Sequence, residues 1–184
     1  MLDNILKSEK LKELLEEINS HFYNVKQELY IRNELVKLIN NSVENNFAFS
    51  EYPKGEKGSA VDLCIISDNK IHTTLEIKYQ YPKDIESKGV RDAILDDINA
   101  KKTNKPCCTD FLLIIHERAG IINYHPPTGV KPIYSHLDRK FTVEDEFFVN
   151  MNKMIPREYK FKHYPIKCSK PYDSIYHFIS YTFA

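Results

Sequence analysis

Apolar and polar residues alternate along the 184-residue chain in blocks that name their own elements. Leu11, Leu14, Leu15, Ile18 and Phe22 recur at three- and four-residue spacing among Lys and Glu, which predicts an amphipathic helix over residues 2–19. After a break at Asn19-Ser20-His21, a second helix is expected over residues 25–43. Val25, Leu29, Ile31, Leu35, Leu38, Ile39 and Val43 supply its apolar face. Asparagines at 40, 41, 45 and 46 end it, in keeping with their preference for turns and left-handed caps. Residues 47–52 read as a short strand and residues 53–58 as a loop whose glycines let the backbone approach a ligand. Two apolar, β-branched runs follow on either side of Asp68-Asn69-Lys70, a hairpin signal. Pro82 closes the hairpin, and Val90, Ile94 and Ile98 mark a helix over residues 85–102. Phe111-Leu-Leu-Ile-Ile115 is wholly apolar and too short for a helix, so it reads as a buried central strand.

Beyond residue 120 the pattern weakens. A strand is expected at residues 121–124 and a helix near 142–154, and the aromatic end, residues 175–183, packs on the sheet as strand or helix. Pro126, Pro127, Pro132, Pro156, Pro165 and Pro171 divide the rest into short pieces. The order of elements implies an α/β domain with a mixed sheet.

Composition narrows the class. A chain of 184 residues, 42% hydrophobic and 28% charged, fits one globular domain that buries about two thirds of its unfolded surface. No apolar run is long enough to span a membrane, and the opening Met-Leu-Asp-Asn lacks the basic and apolar regions of a signal peptide. Cys64, Cys107, Cys108 and Cys168 show no CxxC spacing and read as reduced thiols, so a cytoplasmic protein is expected. Net charge is zero but unevenly spread. Residues 151–170 carry six basic side chains against one acid, a distribution that suits either a phosphate-facing surface or a solvated basic edge.

The hairpin carries the chemistry. Asp62, Glu76 and Lys78 sit in runs that should be buried, where a charge costs several kcal/mol unless paired or metal-bound. Strand parity points His72, Thr74, Glu76, Lys78 and Gln80 one way and Ile71, Leu75, Ile77 and Tyr79 the other. Asp62 joins the first set only in the right register. A two-residue turn pairs Ser67 with Lys70 and sets Asp62 against Leu75. A three-residue loop, or a bulge, sets it against Glu76. Two carboxylates about 5 Å apart call for a cation between them, and magnesium suits the pair because it takes one or two carboxylates and keeps water and phosphate as its other ligands. The plainer alternative is a surface hairpin whose acid–lysine pairs are simple cross-strand salt bridges.

Asp62, thirteen intervening residues and Glu76-Ile77-Lys78 resemble the PD-(D/E)xK nuclease superfamily, with its restriction-endonuclease-like fold. The surrounding order is similar: a helix bearing a glutamate (Asn33-Glu34-Leu35-Val36), a strand, a Gly-Ser loop, the two motif strands, a helix and an apolar strand, together about residues 28–117. Val61 stands where that family often has proline. The resemblance implies a Mg²⁺-dependent endonuclease hydrolysing phosphodiesters in DNA, with Mn²⁺ able to substitute. Asp62 and Glu76 would be metal ligands, Lys78 the catalytic lysine and Glu34 a further acid. Glu28 is the poorer helix acid, since Arg32 four residues on offers it a surface pair. Gln80, Ser59 and Lys57 are candidates for substrate binding. A small type II restriction enzyme, a Holliday-junction-resolvase-like or repair nuclease, and an inactive nucleic-acid- or protein-binding module of the same fold are the readings to separate. A homodimer is expected if both strands are cut, and residues 126–184 are available for substrate binding or dimerisation.

Overall fold

The computed structural model describes residues 2–21, 26–42, 46–53, 60–101, 109–118 and 139–183. The strand expected at 121–124 and the loop holding Lys57 and Ser59 lie outside the described residues. The first expected helix is two, α1 (Leu2–Leu6) and α2 (Glu9–His21). Ser8 divides them: its hydroxyl donates to the Ile5 carbonyl (2.8 Å) and accepts the Leu11 N–H (3.2 Å), which caps α2. Helix α3 (Glu28–Ser42) buries Ile31, Leu35, Leu38 and Ile39, while Leu29, expected on that face, is exposed. Strands β1 (Asn46–Pro53), β2 (Ala60–Ser67) and β3 (Lys70–Gln80) form an antiparallel meander. Two helices, α4 (Pro82–Glu86) and α5 (Lys88–Lys101), occupy the place of the single helix expected after Pro82, because Ser87 between them is extended. They cross over to β4 (Thr109–Glu117), which runs parallel to β3. Helix α6 (Glu146–Met154) leads into β5 (Tyr159–Cys168) and β6 (Ser174–Phe183), so the aromatic end is a strand.

The result is mixed α/β: a six-stranded mixed sheet in the order β1-β2-β3-β4-β6-β5, flanked by helices. One face packs Leu63, Ile65, Leu75, Ile77, Leu112, Ile114 and Phe178 against α1–α3. The other packs Phe111, Leu113, Ile115, Ile179 and Tyr181 against α4, α5 and α6. Alternation within β4 divides its apolar run between the two cores, which explains why Phe111 to Ile115 are all buried. Among the described residues no helix is long and apolar enough to cross a membrane.

Register decides the hairpin. Ser67 pairs with Lys70 across a two-residue turn whose residues, Asp68 (φ 49°) and Asn69 (φ 60°), both take the left-handed conformation that such turns require. Alone, that turn would set Asp62 against Leu75. Between the pairs Ile66–Ile71 and Ile65–Thr73, however, β3 carries one extra residue, His72. This bulge shifts the remaining ladder by one and pairs Leu63 with Leu75, so Asp62 falls one step further on, across from Glu76.

Candidate active site

The β2–β3 ladder stops at Leu63–Leu75, whereas β4 continues to pair with the other edge of β3 as far as Gln80–Ile115. The second half of β3 is therefore open along one edge, and its backbone donors there need partners. Side-chain carboxylates supply them. Asp62 Oδ2 accepts the Ile77 N–H (2.8 Å), and Glu28 Oε2, from the first turn of α3, accepts the Tyr79 N–H (2.8 Å). Two carboxylates are thus drawn to successive positions along the strand that bears Glu76 and Lys78.

Glu76 is the most deeply set of the acids, 4% exposed at its side chain, and its Oε1 lies 3.2 Å from Lys78 Nζ. The same ammonium reaches Asp97 Oδ2 on α5 at 3.1 Å. Burial opposes the charge on Lys78, but the carboxylates of Glu76 and Asp97 more than offset it and hold its pKa above the usual lysine range. Arg32, one helical turn after Glu28, donates through Nη1 to Asp62 Oδ1 (3.2 Å) and lies 2.9 Å from Glu51 Oε1. Burial raises the pKa of Glu28, and the charges of Asp62 and Glu76 add to the effect, against the Tyr79 N–H and Lys78.

Of the two helix glutamates, Glu28 is the one that reaches this strand. Glu34 lies on the opposite flank of the apolar stripe of α3, where it bonds Lys37 and lines a shallow depression with Leu14, Glu17, Ile18, His21 and Tyr30. At 100° per residue Glu28 falls about 60° from Ile31, on the Leu35 side, whereas Glu34 falls about 60° away on the other side. The pair expected between Glu28 and Arg32 is replaced by the bonds of Arg32 to strands β1 and β2. Asp97 of α5, outside the sequence motif, supplies Lys78 with its second carboxylate.

Gln80 ends the same strand, and its Oε1 accepts from Lys26 Nζ (3.0 Å). His116, Glu117 and Arg118 are built into the interior. His116 accepts or donates to the Tyr79 hydroxyl and stacks on Tyr176 at 3.8 Å, while the buried Arg118 guanidinium lies 4.3 Å from the centre of the Tyr81 ring. The segment around Tyr159–Tyr164 is the edge strand β5, on which Lys160 and Lys162 are exposed, a common guard against edge pairing.

Asp62 and Glu76 offer hard oxygen donors, and the charge balance suits a divalent cation. Besides the exposed Glu51, four carboxylates (Glu28, Asp62, Glu76, Asp97) stand against two cations (Arg32, Lys78). Among the described residues no three His, Cys, Asp or Glu side chains form a ready-made cage. Magnesium does not require one, since it keeps several waters and binds through one or two carboxylates. In comparisons with known proteins, no family model, no curated protein and no solved structure matches this chain.

Proposed function

We propose that the chain is a Mg²⁺-dependent nuclease of restriction-endonuclease-like fold that hydrolyses phosphodiester bonds in DNA, with Mn²⁺ as a substitute. The observation that carries this reading is the His72 bulge, which turns Asp62 to the position across from Glu76 and beside Lys78. A strand irregularity that gathers two acids and a lysine at the open end of a ladder is better explained by chemistry than by packing.

Asp62 and Glu76 are the residues that would hold the ion, which when bound supplies a more acidic water and positive charge against the phosphoryl oxygens. Lys78 works as a cation. Clamped between Glu76 and Asp97, it stays protonated through the physiological range and offers its charge and N–H groups to developing negative charge, rather than accepting a proton. Glu28, with its pKa raised by burial, is the better placed of the site's groups to take the proton of an attacking water. Asp62 has a second duty, since it also satisfies the Ile77 N–H.

Cleavage of supercoiled plasmid, a four-way junction and single-stranded RNA, with Mg²⁺ and with EDTA, tests the reading. Metal-dependent cleavage that falls by about 10²-fold or more in Lys78→Ala and Asp62→Asn is expected. Discrete fragments select a type II restriction enzyme, and preference for the junction selects a resolvase-like or repair enzyme. The absence of metal-dependent cleavage on every substrate leaves the inactive binding module. That second reading is favoured by one observation: Asp62 and Glu76 each already hold a protein cation.

A further inference from the structure

Arg32 uses its guanidinium sparingly. A single nitrogen, Nη1, serves both Asp62 Oδ1 (3.2 Å) and Glu51 Oε1 (2.9 Å), and Nε is buried with no hydrogen-bond partner. A guanidinium next to a carboxylate ordinarily engages it through two parallel N–H bonds, and a buried donor left unmade is unfavourable. Here Asp62 can offer Arg32 only one oxygen, because Oδ2 is committed to the Ile77 N–H. Glu51 is no better anchored. It is 65% exposed at its side chain and holds φ at 58°, in the gap between the ladder pairs Ser50–Leu63 and Tyr52–Val61, directly across from Asp62. A non-glycine residue in this conformation is uncommon and marks functional or strained positions. Arg32 therefore stands on α3, joined by one nitrogen to the acid that would hold a cation.

We infer that Arg32 is a substrate-phosphate ligand kept in reserve: it neutralises Asp62 in the metal-free chain and turns its two-nitrogen fork to a phosphate once a divalent cation takes Asp62. The inference rests on the nuclease reading. Its chemistry follows from charge. Cation and guanidinium compete for one carboxylate, so each weakens the other's hold on Asp62. A phosphate offers the pair of oxygens that Asp62 does not, which suits arginine above lysine. Glu51 gives the side chain a second partner at the rim. The residue thus has opposite effects on the two ligands, disfavouring the metal and favouring the nucleic acid.

That opposition is measurable in Lys78→Ala protein, which by the same reading spares the substrate. Arg32→Gln in this background is expected to bind Mn²⁺ about tenfold more tightly by calorimetry, as removal of an adjacent positive charge requires. Its affinity for a twenty-base-pair duplex, followed by fluorescence anisotropy across salt concentrations, is expected to lose about 0.9 from the salt slope, the signature of one phosphate contact. The loss belongs to the Mn²⁺ series alone, because in EDTA Arg32 remains on Asp62. Unchanged or weaker Mn²⁺ binding, or an equal loss of slope in EDTA, overturns the inference. Should Arg32→Gln fail to fold, Arg32→Lys carries the test: duplex affinity falls several-fold in Mn²⁺ only, and an equal fall in EDTA overturns the inference. A parent chain that neither binds Mn²⁺ nor cleaves any nucleic acid brings down the nuclease reading and this inference with it. A parent that does both, with Arg32→Gln indistinguishable from it, brings down this inference alone.

Discussion

At the scale of single residues, two carboxylates of the candidate site each do two things. Asp62 and Glu28 close backbone donors that β2 leaves unpaired, and in the same act they bring negative charge to Glu76 and Lys78. Glu28 and Glu34 make this testable because they are chemically identical, lie on one helix and differ only in flank. Glu28→Gln retains an acceptor for the Tyr79 N–H, so its thermal unfolding should stay within about 1 kcal/mol of the parent while metal-dependent cleavage falls by 10²-fold or more. Glu34→Gln removes an exposed pair with Lys37 and should change neither stability nor cleavage, exposed pairs of this kind contributing about 0–1 kcal/mol. Equal loss of cleavage in both variants would contradict the placement. The sequence does hold the signal for Glu28, three residues before Ile31 and seven before Leu35 on the buried stripe. Arg32 obscures it, because an acid–base pair four apart on a helix ordinarily signals solvent, and here the arginine has long-range partners instead.

At the scale of elements, the hairpin shows what pattern can and cannot deliver. Its strands, the place of its turn and its facing were legible because strand parity is a two-residue period and Asp68-Asn69 is ordinary turn chemistry, although Lys70, read into the loop, opens β3. The bulge was not legible, since one extra residue in an antiparallel pair has no compositional mark, and His72 is an unremarkable strand residue. The pattern gives only the condition: a bulge or a longer loop, or no site. The pairing of Lys78 with Asp97 was hidden for a different reason, because it joins residues 19 apart, on a strand and a helix whose relative placement parity does not describe. The condition can be put to experiment. Deleting His72 leaves Thr73 to pair with Ile65 in a plain two-residue hairpin, which keeps Asp62 across from Glu76 and should therefore retain metal-dependent cleavage. Loss of cleavage in this variant would mean that His72 matters for its side chain or for the twist the bulge gives the strand, and not for the register it sets.

At the scale of the whole molecule, two helix-covered cores leave buried histidines as the groups most sensitive to acid. His177, on β6 beneath α6, has His163 Nε2 at 3.0 Å from its Nδ1 and the edge of Phe141 against its ring. Glu117 Oε2 lies 3.5 Å from Nε2 but already accepts the Phe141 N–H at 3.0 Å, and its pull on a proton is outweighed. Burial, and then His163, hold the His177 pKa down to about 4 from an ordinary value of 6.5. His116, stacked between aromatic rings in the other core, is shifted the same way, first by burial and then by Arg118 and His177. The sign follows from proton counting. Between pH 6.5 and about 4 the unfolded chain binds a proton at His177 that the folded chain does not, so stability is fully present above pH 6.5 and is lost as the pH falls through that window. A difference of this size corresponds to roughly 3 kcal/mol, a large share of a domain's margin. Urea unfolding of the parent across pH 8 to 4 should therefore show a steep loss of stability in that window. His177→Asn, which cannot take up the proton, should be less stable at pH 8 yet show a visibly flatter dependence below pH 6.5. Parallel pH profiles for parent and variant would rule out His177 as the source and leave the acid response to His116 and the surface carboxylates.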